Sequence, residues 1–175
     1  MLKETETMKK VLYVLVAAAA VLLTSEAAMC GSGKPIGQDV YRAQVKKVLY
    51  DINNAFLKSD MEAFLKYVAH DADVVAIDIM TGDYIVGFDK IAEHMKKTAG
   101  MKATYKCSLI EETIHVNMAA RVAWSAQLSD CSITVDDKTI SMKVRSTSTF
   151  ERRGGAWLMV QGHDSVGLPH ISDVR

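Results

Sequence analysis

A chain of 175 residues with 49% hydrophobic content is long enough for one domain with a sizeable core. Lysine plus arginine balances aspartate plus glutamate at 21 each, so no charge excess points to nucleic acid or an anionic membrane surface as partner.

The first segment is expected to be a leader. Lys9-Lys10 supply a positive start and Val11 to Leu23 an unbroken apolar run, the layout of a secretory signal. That run is too short for an ordinary membrane span, and Met8 ahead of the lysines is the more natural start. Ser25-Glu26-Ala27 fits cleavage after Ala27. Ala27-Ala28-Met29-Cys30 instead resembles a lipoprotein box that would place a lipid on Cys30, with Met29 as its departure. Residues 1–30 are thus expected to be a signal peptide or lipoprotein leader. The mature protein is then periplasmic or secreted, touching a membrane only through the leader or that lipid. Residues 31–38 read as a linker whose Gly33-Lys34 lacks the surroundings of a phosphate loop.

From Asp39 the pattern becomes helical. Tyr41, Val45, Val48, Leu49, Ile52 and Phe56 recur on one face of a first helix. Ser59-Asp-Met-Glu62 has the form of a capping box opening a second, short helix over about 60–69, with Met61, Phe64, Leu65 and Val68 inward. Val74 to Ile79 and Tyr84 to Val86 read as two short strands around a Gly82-Asp83 turn. Phe88, Ile91, Ala92 and Met95 mark a third helix, ended at Gly100.

Four long strands follow, over about 103–116, 119–132, 138–151 and 156–165, divided by Asn117-Met118, Asp136-Asp137 and Gly154-Gly155. If the first of these hairpins turns at Asn117-Met118, Cys107 faces about residue 128. The remaining distance to Cys131 is then roughly 10 Å, beyond disulfide reach of about 7 Å. Free or buried thiols are expected unless a bulge changes the register. Helices followed by strands imply an α+β domain.

The ending carries a resemblance. Arg145, then Gly155-Ala156-Trp157, then His163-Asp164-Ser165, together with Asp78, Gly82-Asp83 and Gly87, resemble the nuclear transport factor 2-like superfamily. Within it the pattern is similar to SnoaL-like domains and to the association domain of calcium/calmodulin-dependent protein kinase II. The resemblance covers residues 39–168, leaving 169–175 as a tail. It implies a cone-shaped α+β fold, with a curved, mainly antiparallel sheet packed on about three N-terminal helices. It also implies a cavity for a small-molecule ligand and a homodimer formed through sheet faces. The chain departs from association domains in lacking their further pocket arginine, offering Val122, Trp124, Ala126 and Leu128 instead.

Candidate site residues follow from strand alternation. Arg145 shares a face with Lys143, Thr147 and Thr149. Its planar guanidinium suits a carboxylate ligand, with a salt bridge to Asp78 as the structural alternative. His163 is placed with Trp157, Met159 and Gln161 as a ligand partner or general acid or base, or else as a satisfied core histidine. Asp78, at the end of an apolar strand, is a second candidate for catalysis, with turn capping as its ordinary role. Gln161, Trp124, Tyr67 and Phe56 are expected to line the cavity. The five histidines show no paired spacing, so neither a metal nor a cofactor is expected.

Three functions compete. The leading expectation is an exported binding domain for a partly apolar carboxylate or carbonyl compound. A cofactor-independent lyase or isomerase of the ketosteroid isomerase or polyketide cyclase type is the alternative, and an oligomerisation module with a vestigial pocket is the third.

Overall fold

The computed structural model describes residues 37–79 and 82–167. The leader, Cys30 and the tail lie outside the described residues. Helix α1 (Gln38–Leu57), α2 (Met61–Leu65), β1 (Val75–Ile77), β2 (Tyr84–Val86), α3 (Phe88–Gly100), β3 (Thr104–Asn117), β4 (Val122–Val135), β5 (Lys138–Arg153) and β6 (Ala156–Val166) follow in order. The expected elements are all present, so the domain is α+β, with three helices ahead of the four long strands of a curved sheet. Strand order is β2-β1-β6-β5-β4-β3. Every neighbouring pair is antiparallel except β1 and β6.

Helix α1 buries Val45, Leu49, Ile52 and Ala55, the stripe that its three- and four-residue apolar spacing requires. Ser59 takes a left-handed φ of 56° after the helix. The cap of α2 is therefore Asp60, whose carboxylate accepts from the Ala63 amide at 3.0 Å, and not Ser59 as the capping-box pattern suggested. Gly87 opens α3 at φ 97°, and a Cβ there would lie 3.3 Å from the Ala72 carbonyl oxygen. Both conditions favour glycine.

The tight hairpins are those expected. Asp136-Asp137 and Gly154-Gly155 all have positive φ, as two-residue turns matching strand twist demand. The β3–β4 connection differs, because Asn117 pairs with Val122 and the loop spans 118–121. That longer turn, together with a bulge at Ile110, brings Cys107 directly opposite Cys131. The expectation of free thiols is corrected: the two form a disulfide with Cα atoms 4.1 Å apart.

The apolar core lies where the helices cross the hairpin end of the sheet. Val45, Leu49, Phe64, Ile91, Val116, Ala123, Phe150, Trp157 and Met159 belong to it. Phe150 is fully buried, and truncating such a phenylalanine to alanine costs about 3–5 kcal/mol. Gln38 Nε2 donating to the Val116 carbonyl at 2.7 Å, and Trp157 Nε1 to Gln44 Oε1 at 3.3 Å, pin α1 to the sheet.

Candidate functional site

Neighbouring residues of a strand point to opposite faces, so one extra residue exchanges the faces of everything beyond it. This happens twice. On β3, Glu111 opposes Leu128 while Leu109 opposes Ser129, leaving Ile110 as the insertion. Ile114 and Val116 face the helices on one side of it, and Tyr105 and Cys107 do so on the other. On β6, Met159 opposes Phe150 while Gln161 opposes Thr149, leaving Val160 extra. Trp157 and Met159 face the helices before that bulge, and Gly162 and Asp164 after it.

The helix-covered face therefore changes character along its length. Next to the apolar core it collects Ser125, Gln127, Ser146, Asp164 and Tyr105 from the long strands, with Asp78 just past β1. Ser125 and Gln127 are only 3% and 8% exposed. Polar groups withdrawn this far from water are costly unless something binds them.

Asp164 joins this arrangement through Ser146. Ser146, its cross-strand partner, donates its hydroxyl to Asp164 Oδ1 at 2.5 Å. The residue reaches solvent, yet protein surrounds it so closely that desolvation pushes its carboxyl above the ordinary range. Asp78's charge raises it further, while the Ser146 hydrogen bond and His163's charge oppose the shift. Asp164 is thus crowded by neighbouring groups at a margin of the covered face that solvent still reaches.

Asp78 connects the cluster. Its Oδ2 lies 3.2 Å from His94 Nε2 on α3, both side chains being mostly buried. Burial, and after it Asp78's charge, also raise the phenol of Tyr105. Tyr105 is 7% exposed, stacks obliquely on Phe56 at 4.9 Å, and makes no hydrogen bond through its hydroxyl to another protein group. A buried donor left open in this way is unusual. The Ser125 hydroxyl is in the same condition.

A second polar row closes the α1 side. Lys46 Nζ meets Glu112 Oε2 at 2.9 Å, Gln127 Nε2 donates to Glu112 Oε1 at 3.1 Å, and Asn53 Nδ2 donates to Gln127 Oε1 at 3.4 Å. These groups satisfy one another and serve as wall. Among the described residues, no group of three or more His, Cys, Asp or Glu side chains is arranged to hold a metal ion.

Of the residues singled out from the sequence, Asp78 and Phe56 lie on the covered face. Arg145, His163, Gln161 and Trp124 share the opposite face. Arg145 pairs with Leu128 and Ser165, and its guanidinium donates to the Val166 carbonyl at 2.9 Å, on the side of the sheet away from Asp78. His163 leaves the Trp157–Met159 face because of the Val160 bulge, and Gln161 turns with it to meet the Thr149 hydroxyl at 3.3 Å. Trp124, 46% exposed, stacks on His115 outside the sheet. Tyr67 gives its hydroxyl to Asp51 at 2.8 Å, beside the Lys47–Asp51 ion pair.

Tyr105, His94, Ser146 and Asp164 were not anticipated. Only β5 pointed to them: Ile140, Met142, Val144 and Phe150 share one face of its unbroken pairing with β4, and mark that face, which also carries Ser146 and Ser148, as inward. A shallow open depression of about 600 Å3 lies elsewhere, around the disulfide, between Lys106, Asp130, Met142 and Lys143. It contains none of the clustered groups.

Comparison with known proteins agrees with this architecture. The family model described as a SnoaL-like domain matches residues 45–169. An NTF2-like protein of unknown function from Pseudomonas putida superposes with a TM-score of 0.65 at 19% identity, over 77% of this chain and 92% of that one. A ketosteroid isomerase-like protein from Erwinia carotovora atroseptica gives 0.61 at 16%, over 73% and 97%. The association domain of calcium/calmodulin-dependent protein kinase II from C. elegans gives 0.57 at 12%, over 73% and 97%. At such identities the superpositions show the fold alone. No curated protein matches the chain in sequence.

Proposed function

The chain belongs to the SnoaL-like domain family, and from that premise we propose that the polar end of its covered face forms a hollow that binds a small neutral carbonyl compound and moves a proton on it without a cofactor. The observation that carries this reading is the pairing of two kinds of group on one face. Burial raises both Tyr105 and Asp164, which favours their proton-bearing forms as donors for a carbonyl oxygen that gains negative charge. The Asp78–His94 pair supplies a site that takes up and returns a proton. The sheet neighbours of Asp164, namely Ser146, Ser148, Gly162 and Asp78, carry no positive charge, so a neutral substrate suits the hollow better than a carboxylate. An isomerisation through an enolate, or an elimination beside a carbonyl, uses these groups directly.

Proton exchange tests it without knowledge of the natural substrate. The protein is incubated in D2O with a panel of cyclic and aryl ketones, and α-deuteration is followed by NMR. Tyr105→Phe and Asp78→Asn are each expected to slow exchange by about two orders of magnitude. Equal rates for wild type and both variants would remove the cluster from the chemistry.

A second reading concerns the opposite face and complements the first. On β4 it is the apolar row Val122, Trp124, Ala126 and Leu128 that faces away from the helices, the reverse of ordinary burial. We infer that a second copy covers this row in a homodimer, and the structural likeness to an association domain supports it. The disulfide supports export, because such bonds persist in oxidising compartments. Intact mass of the protein from its native host, with or without loss of the leader and a diacylglyceryl increment on Cys30, tests that part.

A further inference from the structure

We propose that the Cys107–Cys131 disulfide is a register lock that holds Tyr105 on the helix-covered face. Tyr105, Cys107 and the inserted Ile110 follow one another along β3. Beyond Glu111 the pairing with β4 is regular as far as Asn117. Continued without interruption toward Thr104, it would set Ile110 opposite Ser129, Ser108 opposite Cys131 and Cys107 opposite Ser132. The two cysteines would then point to opposite faces, where no bridge can form. Tyr105 would face away from the helices, and Lys106 would take its side.

The insertion at Ile110 prevents this. With it, Leu109 meets Ser129, Cys107 meets Cys131 and Tyr105 meets Ile133. The disulfide and the inward Tyr105 therefore belong to one register and are excluded together from the other. A bulge interrupts the ladder and leaves a residue unpaired. Leu109 and Ile110 are both largely exposed, so burial beside the insertion fixes the register only weakly. Burying the unpartnered Tyr105 hydroxyl also opposes the bulged state. The covalent bond, two residues from Tyr105 on the same face, counters these tendencies. Tyr105 acquires a catalytic task only through the function proposed above, but the register itself does not depend on that reading.

The test compares three chains labelled with 13C in the tyrosine rings, the Tyr105 signal being assigned by its loss in Tyr105→Phe. In the disulfide-bonded protein the Tyr105 phenol is expected to titrate above its ordinary value of about 10. In Cys107→Ser/Cys131→Ser it is expected to return toward that value, with cross-strand NOEs shifting from the 107–131 pair to 107–132. Deleting Ile110 in the serine background removes the residue that the slip would absorb. Regular pairing then puts Tyr105 inward again, and its titration is expected to rise back to the wild-type position without any disulfide. Simple loss of stability cannot produce that rescue. Where the serine pair fails to unfold cooperatively, Cys107→Val/Cys131→Val keeps the pair packed but unlinked and replaces it. An unchanged Tyr105 titration in the folded, unlinked chain overturns the proposal, as does a displaced titration that deletion of Ile110 does not restore. Slow ketone exchange by a chain whose Tyr105 is correctly placed would count against the proposed function and leave the lock intact.

Discussion

Replacing Tyr105 by phenylalanine removes one oxygen and should make the protein more stable. The ring's packing against Phe56 at 4.9 Å survives the change. What disappears is a hydroxyl that is buried and makes no protein hydrogen bond, and an unsatisfied buried polar group of this kind costs about 1–3 kcal/mol. Taking the lower half of that range, because Asp78's nearby charge orients the dipole, the gain is about 1–2 kcal/mol. Unfolding entropy of ~2.1 cal/mol/K per residue over roughly 130 residues converts this to a Tm rise of roughly 4–7 °C. Differential scanning calorimetry at fixed pH measures it, with the disulfide verified intact in both proteins. An ordinary hydrogen-bonded tyrosine gives the opposite sign, losing about 1 kcal/mol. A fall in Tm would show that the hydroxyl is held by the protein and is not reserved for a ligand, and the candidate site would lose its main donor.

The burial that raises Asp164 makes a prediction of definite sign. A carboxyl with a raised folded pKa contributes stability that is present below the unfolded value of about 3.9 and is lost as pH rises through the folded value. Asp164→Asn should flatten that part of the stability profile, as urea unfolding across pH would show; an unchanged profile would place Asp164 in ordinary solvent. Trp124→Lys should convert the dimer to monomer in sedimentation at micromolar concentration while leaving the Tyr105 titration in place, and a monomeric wild type would refute the interface. Arg145→Lys should leave ketone exchange within about twofold of wild type, since its guanidinium is engaged on the Val166 carbonyl across the sheet from the hollow. A hundredfold loss there would return Arg145 to the site.

The elements were legible because their periodicities are strong. The apolar stripes of α1 and α3, the two-residue turns at Asp136-Asp137 and Gly154-Gly155, and the run of four long strands all follow from side-chain spacing. The site was less legible, for two physical reasons. Bulges at Ile110 and Val160 exchange the faces of Tyr105 and Asp164 with those of their neighbours, and each inserted residue is apolar in a locally mixed pattern that does not announce it. Strand β5 does carry a signal, since Ile140, Met142, Val144 and Phe150 alternate onto the face away from Arg145, but Ser146 and Ser148 interrupt that row beside the polar cluster. On β4 the apolar row is turned outward and the polar row of Ser125 and Gln127 inward, which inverts the usual rule. Asp78 escaped these difficulties because β1 is short and unbulged.

The insertion at Val160 also bears on how this chain is aligned with other proteins. At the 12–19% identity of the structural relatives above, an alignment that runs ungapped through β6 against a straight strand compares His163 with whatever that protein points into its cone. A gap of one residue at Val160 compares Asp164 instead. The two choices assign an imidazole or a carboxyl to the same corner of the hollow, and so suggest different chemistries for one fold. Matching residues by their cross-strand partners, with Asp164 set against Ser146, removes the ambiguity, because hydrogen-bonded pairing keeps count where the linear sequence does not.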